Sequence, residues 1–209
     1  MAAYAAATAT TATYETIRHA ATAGEGAAPS RATTQPYRDA LERLFLLDPV
    51  PGWAPASNRI ARLSPPPKHH LADPALAARL LDVGVDDLLE GRAATPPVPR
   101  DGTLLGALFE SLVTLSVRTY AQNAEAAVAH LRTKGGDHEV DLIVERGGRV
   151  VAIEVKLAQI VGDADVRQLH WLAGRLGDQL ADSLAVTTGA EAYRRPDGIG
   201  VVPAALLGP

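Results

Sequence analysis

The chain has 209 residues and a net charge of −4; it is 47% hydrophobic but only 4% aromatic, and its 39 alanines point to an aliphatic core of small side chains. It has no cysteine, which excludes disulfides, thiolate metal ligands and cysteine nucleophiles and fits a reducing, cytoplasmic compartment. No apolar run reaches the ~18 residues of a membrane helix, so no membrane span is expected, and the acidic balance is not the basic footprint of a stand-alone nucleic-acid binder, so any DNA contact must come from a local patch, a metal ion or a partner.

The first thirteen residues are rich in Ala and Thr and lack Lys and Arg, a poor signal peptide. Thr10 to Ala23 reads as a weakly amphipathic helix and Gly24 to Arg31 as a loop. Thr34 can cap a helix from about Pro36 to Leu46, with Tyr37, Leu41, Leu44 and Phe45 on one face. Asp48-Pro49 ends it. Residues 49–67 hold six prolines and Trp53, too irregular for a long element. Asp73 at the N-cap and Pro74 at the first position start another helix, carrying Leu76, Leu80 and Leu81. The segment 1–90 therefore reads as mainly helical, with a winged-helix-like arrangement the expectation. Proline also marks the boundary: ten of the 15 lie between Pro49 and Pro99 and none between Asp101 and Arg195, so 91–101 reads as a linker and 102–209 as one α/β domain.

In that domain, Thr103 to Tyr120 is a helix with Leu104, Leu105, Leu108, Leu112, Val113 and Leu115 on a broad apolar face. Ala126 to Arg132, Glu139 to Glu145 and Arg149 to Leu157 read as strands. A second helix starts at Asp163 or Asp165 and runs to about Leu176, followed by strands at Ser183 to Thr187 and Ile199 to Val202. This alternation indicates α/β layers around a central sheet.

The informative stretch is Glu139 to Lys156. Gly147-Gly148 between two strand patterns is a two-residue hairpin signal. The register it sets puts Asp141 opposite Glu154 and Glu139 opposite Lys156, all on one face. Like charges directly opposite destabilise a sheet, and a divalent cation would offset that. Mg²⁺ takes oxygen ligands, often one or two carboxylates plus waters and substrate phosphate. It can polarise a phosphodiester and activate a bound water, and Lys156 beside it could orient that water or neutralise charge developing on phosphorus. The plain alternative is a solvated face on which Lys156 pairs with Glu139. Ile143 and Ala152 share the face with the carboxylates, so it has to be partly covered. Val140, Leu142 and Val144, with Val151, Ile153 and Val155, form the apolar face behind.

Other chemistry-bearing residues read more readily as structural. Asp73 is a helix cap, with His69 and His70 as partly exposed packing residues rather than metal ligands. His130 and Arg132 on a strand could contact phosphate, but a sheet role is expected. Lys134 and His138 flank Gly135-Gly136 in a loop near the hairpin, and Gln168 and His170 lie on the helix after the last hairpin strand. Glu110 stands at the edge of its helix's apolar face, where a carboxylate can reach a site beside the sheet.

Glu110 on a helix, then Asp141, then Glu154-Val-Lys156 on the next strand, resembles the active-site pattern of the PD-(D/E)XK nuclease superfamily, and the order helix, three strands, helix, strand is similar too. The resemblance implies a restriction-endonuclease-like fold, with Glu110, Asp141 and Glu154 holding Mg²⁺ or Mn²⁺, Lys156 assisting the attacking water, and DNA as substrate. A wider resemblance runs through Ala9 to Tyr14, Tyr37 to Leu44, Pro51-Gly-Trp53, Lys68 to Leu76, Gly106 to Val113, His130-Leu-Arg132, the hairpin and Leu184 to Pro203. It is to the C-terminal half of a large family of prokaryotic AAA-type ATPases whose role is poorly defined. No G-x-x-x-x-G-K-[ST] phosphate loop occurs, so no ATP binding is expected. The chain is then expected to be a truncated gene product, a split protein serving a separate ATPase, or a decayed remnant. In that setting the nuclease-like domain is either catalytic or a binding-only adaptor.

Overall fold

The computed structural model describes residues 1–22, 26–54, 66–90 and 103–208. They fall into two compact units, Met1–Val50 with Pro66–Leu112, and Pro51–Pro65 with Val113–Pro209. The expected linker at 91–101 lies outside the described residues, and the division between units falls within a helix, after Leu112, rather than at that segment.

The first unit is helical: α1 (Ala2–Ala6), α2 (Tyr14–Ala21), α3 (Arg31–Arg43), α4 (Pro74–Leu80), α5 (Val85–Leu89) and the first part of α6 (Leu104–Asn123). Its core joins Ala3, Ala5, Ala6 and Ala7 to Ile17, Leu47, Leu71, Ala77, Leu81 and Leu108. The helix expected over Thr10 to Ala23 begins later, as α2 at Tyr14, and a separate short helix, α1, precedes it. Ala9 turns left-handed at φ 56°, its N–H donates to the His69 carbonyl, and Thr13 then caps α2 by accepting from the Thr16 N–H. A side-chain cap four residues before Ile17 outweighs a weak apolar periodicity. Helix α3 starts earlier than expected because Ser30, not Thr34, is its cap, and Pro36 sits inside the helix at the loss of one backbone hydrogen bond. Asp73 and Pro74 open α4 as expected, the Asp73 carboxylate accepting from the Ala75 N–H.

Residues Lys68 to Leu71 run through this unit as an extended segment, bridged antiparallel to Thr10, Leu47 and Val50. Among the described residues, such isolated bridges are the unit's β structure. They bury the segment, so His69 and His70 are 3% and 4% exposed rather than partly open. His69 packs edge-on against Tyr4 and Tyr14, and its Nε2 lies 2.8 Å from the Ala12 carbonyl. Burial pushes its pKa down, so the ring stays neutral.

The second unit is built on a six-stranded mixed sheet. Its strands are β1 (Ala127–Arg132), β2 (Glu139–Arg146), β3 (Arg149–Lys156), β4 (Leu180–Thr187), β5 (Tyr193–Arg194) and β6 (Gly200–Pro203), in spatial order β1-β2-β3-β4-β6-β5. Strands β1, β2 and β3 are antiparallel. β3 runs parallel to β4, which requires a crossover, and α7 (Asp163–Leu176) supplies it. Val166, Leu169, Leu172 and Leu176, at helical spacing, press α7 onto Ile143, Ala152, Ala185 and Val201. This is the cover inferred for the hairpin face. In α6 the buried stripe continues through Val113, Val117 and Ala121, while Leu112 is 48% exposed, so the apolar face is narrower than the leucine pattern suggested.

Gly147 and Gly148 form the hairpin turn with φ of 58° and 76°, the left-handed pair that a two-residue turn between right-twisted strands demands. Pro51 to Trp53 runs beside β1: the His130 N–H donates to Pro51 O, the Trp53 N–H donates to His130 O, and Trp53 Nε1 donates to Glu145 at 2.8 Å.

Candidate active site

The β2–β3 ladder follows the register set by the two glycines, from Arg146↔Arg149 to Leu142↔Ile153. It stops one pair short of Asp141 and Glu154. On its other side β2 pairs Ile143 with Ala129 but Val140 with Leu131, so β2 spends three steps where β1 spends two. The extra residue is a bulge at Asp141–Leu142, and a bulge bends its strand and releases a residue from the ladder. Asp141 is that residue. Its Oδ2 accepts the Val155 N–H at 2.9 Å, so a carboxylate stands in for a backbone partner. The two carboxylates are thus not a simple cross-strand pair. Asp141 reaches the β3 backbone between the Glu154 and Lys156 side chains.

Glu154 is 3% exposed, and its Oε2 accepts from Lys156 Nζ at 2.9 Å. The Lys156 pKa is raised: burial lowers it, but Glu154, Asp141 and Asp165 together outweigh that. Lys156 is therefore an ammonium at neutral pH and acts as a cation, not as a base. The bulge also redirects Glu139, which pairs with Arg132, so the Glu139–Lys156 pairing of the solvated-face alternative does not form. The sequence marked Asp165 only as a possible start of the second helix. It lies in the first turn of α7 and caps the helix by accepting from the Gly162 N–H. The signal for it was the crossover itself, which brings the start of α7 to the end of β3. Buried Thr187 is the ladder partner of Lys156 on β4, so the cluster sits at the carboxyl ends of two parallel strands.

Glu110 belongs to the first unit. It accepts from Lys68 Nζ at 2.9 Å, with Lys68 2% exposed and the Glu110 side chain 16%. Asp141, Glu154 and Lys156 are brought together in the second unit. Among the described residues no group of three or more His, Asp or Glu is arranged to hold a metal ion; the grouped oxygen donors beside Lys156 are the carboxylates of Asp141 and Glu154.

The remaining residues resolve as follows. His130 is fully buried in β1, out of reach of a phosphate. His138 stacks on Trp171 at 3.9 Å, with its Nδ1 2.8 Å from Gln168 Oε1, and Arg175 covers Trp171. His138 is thus part of a packed array and not a free loop residue. His170 turns to Asp197 at 3.0 Å. Lys134 is exposed.

Residues 105–207 match the family model of a domain of unknown function, DUF4143, a domain typically found with AAA-type ATPases, and residues 1–87 match a second domain of unknown function, DUF8612. Asp141, Glu154, Lys156 and Glu110 all lie within the first match. No curated protein matches the chain. Among the described residues no helix is long and apolar enough to cross a membrane.

Proposed function

We propose that the second unit is a Mg²⁺- or Mn²⁺-dependent phosphodiesterase domain of restriction-endonuclease-like type that acts on DNA in the cytoplasm, in the service of a separate AAA-type ATPase. The observation that carries this reading is the bulge, which delivers Asp141 to the β3 backbone between Glu154 and Lys156. A fully solvated charged face has no need of such a device. Ligand sites of open α/β sheets lie outside the carboxyl ends of parallel strands, where this cluster sits.

The donor set fits a hard divalent ion: Mg²⁺ takes oxygen ligands, typically one or two carboxylates, with waters and a phosphate oxygen completing the shell. Asp141 and Glu154 would hold it. When bound, the ion supplies Lewis-acid polarisation of the phosphodiester and a lowered pKa for its water. Lys156, kept cationic by its acidic neighbours, orients that water by donating to it and neutralises charge developing on the phosphate oxygens. Glu154 fixes the Lys156 ammonium, and the Val155 N–H fixes the Asp141 carboxylate against β3.

The decisive experiment incubates supercoiled plasmid with the protein and millimolar Mg²⁺ or Mn²⁺, alone and with a candidate ATPase. Wild type should nick the plasmid and Lys156→Ala should not. The metal should raise the melting temperature of wild type, with a stabilisation of RT ln(1 + [L]/Kd), about 2.7 kcal/mol at a hundredfold excess over Kd. Asp141→Asn should abolish both effects. If neither nicking nor a metal shift occurs, the reading is wrong. A binding-only adaptor domain is the second reading, favoured by the Glu154–Lys156 pair, which already neutralises itself. A metal shift without cleavage would select it.

A further inference from the structure

Helix α3 is 13 residues long and none of them is buried. Its inner face, with Thr34, Arg38 and Leu41 at helical spacing, is only half-buried. Beneath it lies a cavity of about 650 Å³ between α1, α2 and α3, all within the first unit. That volume falls in the range of ~300–1,000 Å³ typical of small-molecule sites. Ala3, Ile17 and Leu41 supply apolar wall, and among the described residues three lining arginines, Arg18, Arg31 and Arg38, face one lining carboxylate, Glu15.

Arg18 and Arg38 are only weakly paired. The Nε atoms of Arg18 and Arg38 are buried and have no hydrogen-bond partner. Their ion partners are carboxylates on their own helices, Glu15 at 73% exposure and Asp39 and Glu42 at 44% and 37%. Such solvated pairs are weak and readily give way to a desolvated anion, which an Arg edge binds in bidentate fashion. The Arg38 guanidinium lies 4.1 Å above the Tyr14 ring, which holds it at the cavity wall. Burial pushes the Tyr4 hydroxyl up to about 12 and raises that of Tyr14, so both phenols remain protonated O–H donors.

We propose that this cavity is a binding site for a small organic anion, an apolar body ended by a carboxylate or a phosphate group. The apolar wall takes the body, and Arg38, Arg18 and the two phenols take the head. The site is independent of the hairpin chemistry in the second unit.

The test is calorimetric titration of the full chain with four probes: benzoate, phenyl phosphate, inorganic phosphate as head alone and benzyl alcohol as body alone. At least one of the first two should bind saturably at sub-millimolar concentration, and which of them does so names the head group. The head alone and the body alone should each bind at least tenfold more weakly. Arg38→Ala should weaken the anion at least tenfold, with Arg38→Lys intermediate. Ring-labelled tyrosine spectra of wild type give a second readout that needs no variant: the Tyr4 and Tyr14 signals should shift on titration while Tyr193 stays still. Binding of neither anion at millimolar concentration overturns the proposal. So does binding that Arg38→Ala leaves unchanged, or binding that moves neither tyrosine.

Discussion

At the scale of single residues, the site is held by exchanges between charge and backbone. Two facing carboxylates would lead one to expect that Asp141→Asn relaxes the metal-free protein. The structure reverses the sign, because the Asp141 carboxylate accepts the Val155 N–H and attracts Lys156. Asp141→Ala leaves that N–H short of its acceptor and should cost about 1–3 kcal/mol in urea unfolding without metal, and Asp141→Asn, which keeps one acceptor oxygen, should cost less. An Asp141→Ala protein more stable than wild type would contradict this. Glu110 gives a parallel case. It accepts a short bond from a lysine that is 2% exposed, and hydrogen bonds to charged groups contribute about 1.5–3 kcal/mol. Glu110→Ala should therefore lower stability by that order in urea unfolding, and a neutral substitution would contradict this account of the pair.

At the scale of elements, the hairpin shows what was legible beforehand and what was not. Two adjacent glycines bracketed by alternating apolar residues specify a turn and, through it, a register, and the ladder from Leu142 to Arg146 follows that register. The bulge was not legible, because it depends on how β1 pairs with the far side of β2 and nothing local marks Asp141–Leu142 as irregular. The sequence therefore indicated which residues meet but not that they meet through a backbone N–H. Likewise, Lys68 and Glu110 are 42 residues apart, and no periodicity links a loop lysine to a helix flank. The termini of α2 and α3 were misjudged for a more local reason: Thr13 and Ser30 are caps, and a threonine-rich stretch offers several rivals for that role. The turn itself is testable. Both glycines have positive φ, and an L-residue in that region costs about 1–2 kcal/mol, so Gly148→Ala should lower stability by that amount in thermal unfolding. A neutral substitution would mean the turn readjusts at no cost.

At the scale of the whole molecule, pH dependence sums these local balances. Arg194 holds the Asp182 carboxyl below its usual range, and Arg195 holds Asp197 lower still, at about 2, with the Ile199 N–H and His170 adding to the effect. A carboxylate whose folded pKa is depressed contributes stability above its unfolded value of about 3.9, and this contribution is lost as pH falls through the folded value. Stability should thus decline between about pH 4 and pH 2, and Asp197→Asn should flatten that decline. Lys156 has the opposite sign: its folded pKa is raised, so its contribution is present at neutral pH and is lost only as pH rises through the folded value. Unfolding followed from pH 2 to 11 would check both limbs, and a stability that does not change on the acid side would rule out the Arg–Asp account.

The strip from Pro51 to Trp53 beside β1 has a further consequence. A sheet whose outermost strand offers bare N–H and C=O groups invites a neighbouring molecule to add its own strand, the first step of ordered aggregation. Here the main-chain groups of His130 are taken by Pro51 and Trp53, and at the opposite margin β5 is only two residues long. A molecule lacking residues 51–54 would expose β1 as a template for self-association. Light scattering of such a deletion, compared with the full chain at equal concentration, should show growth of high-mass species that the intact protein does not form.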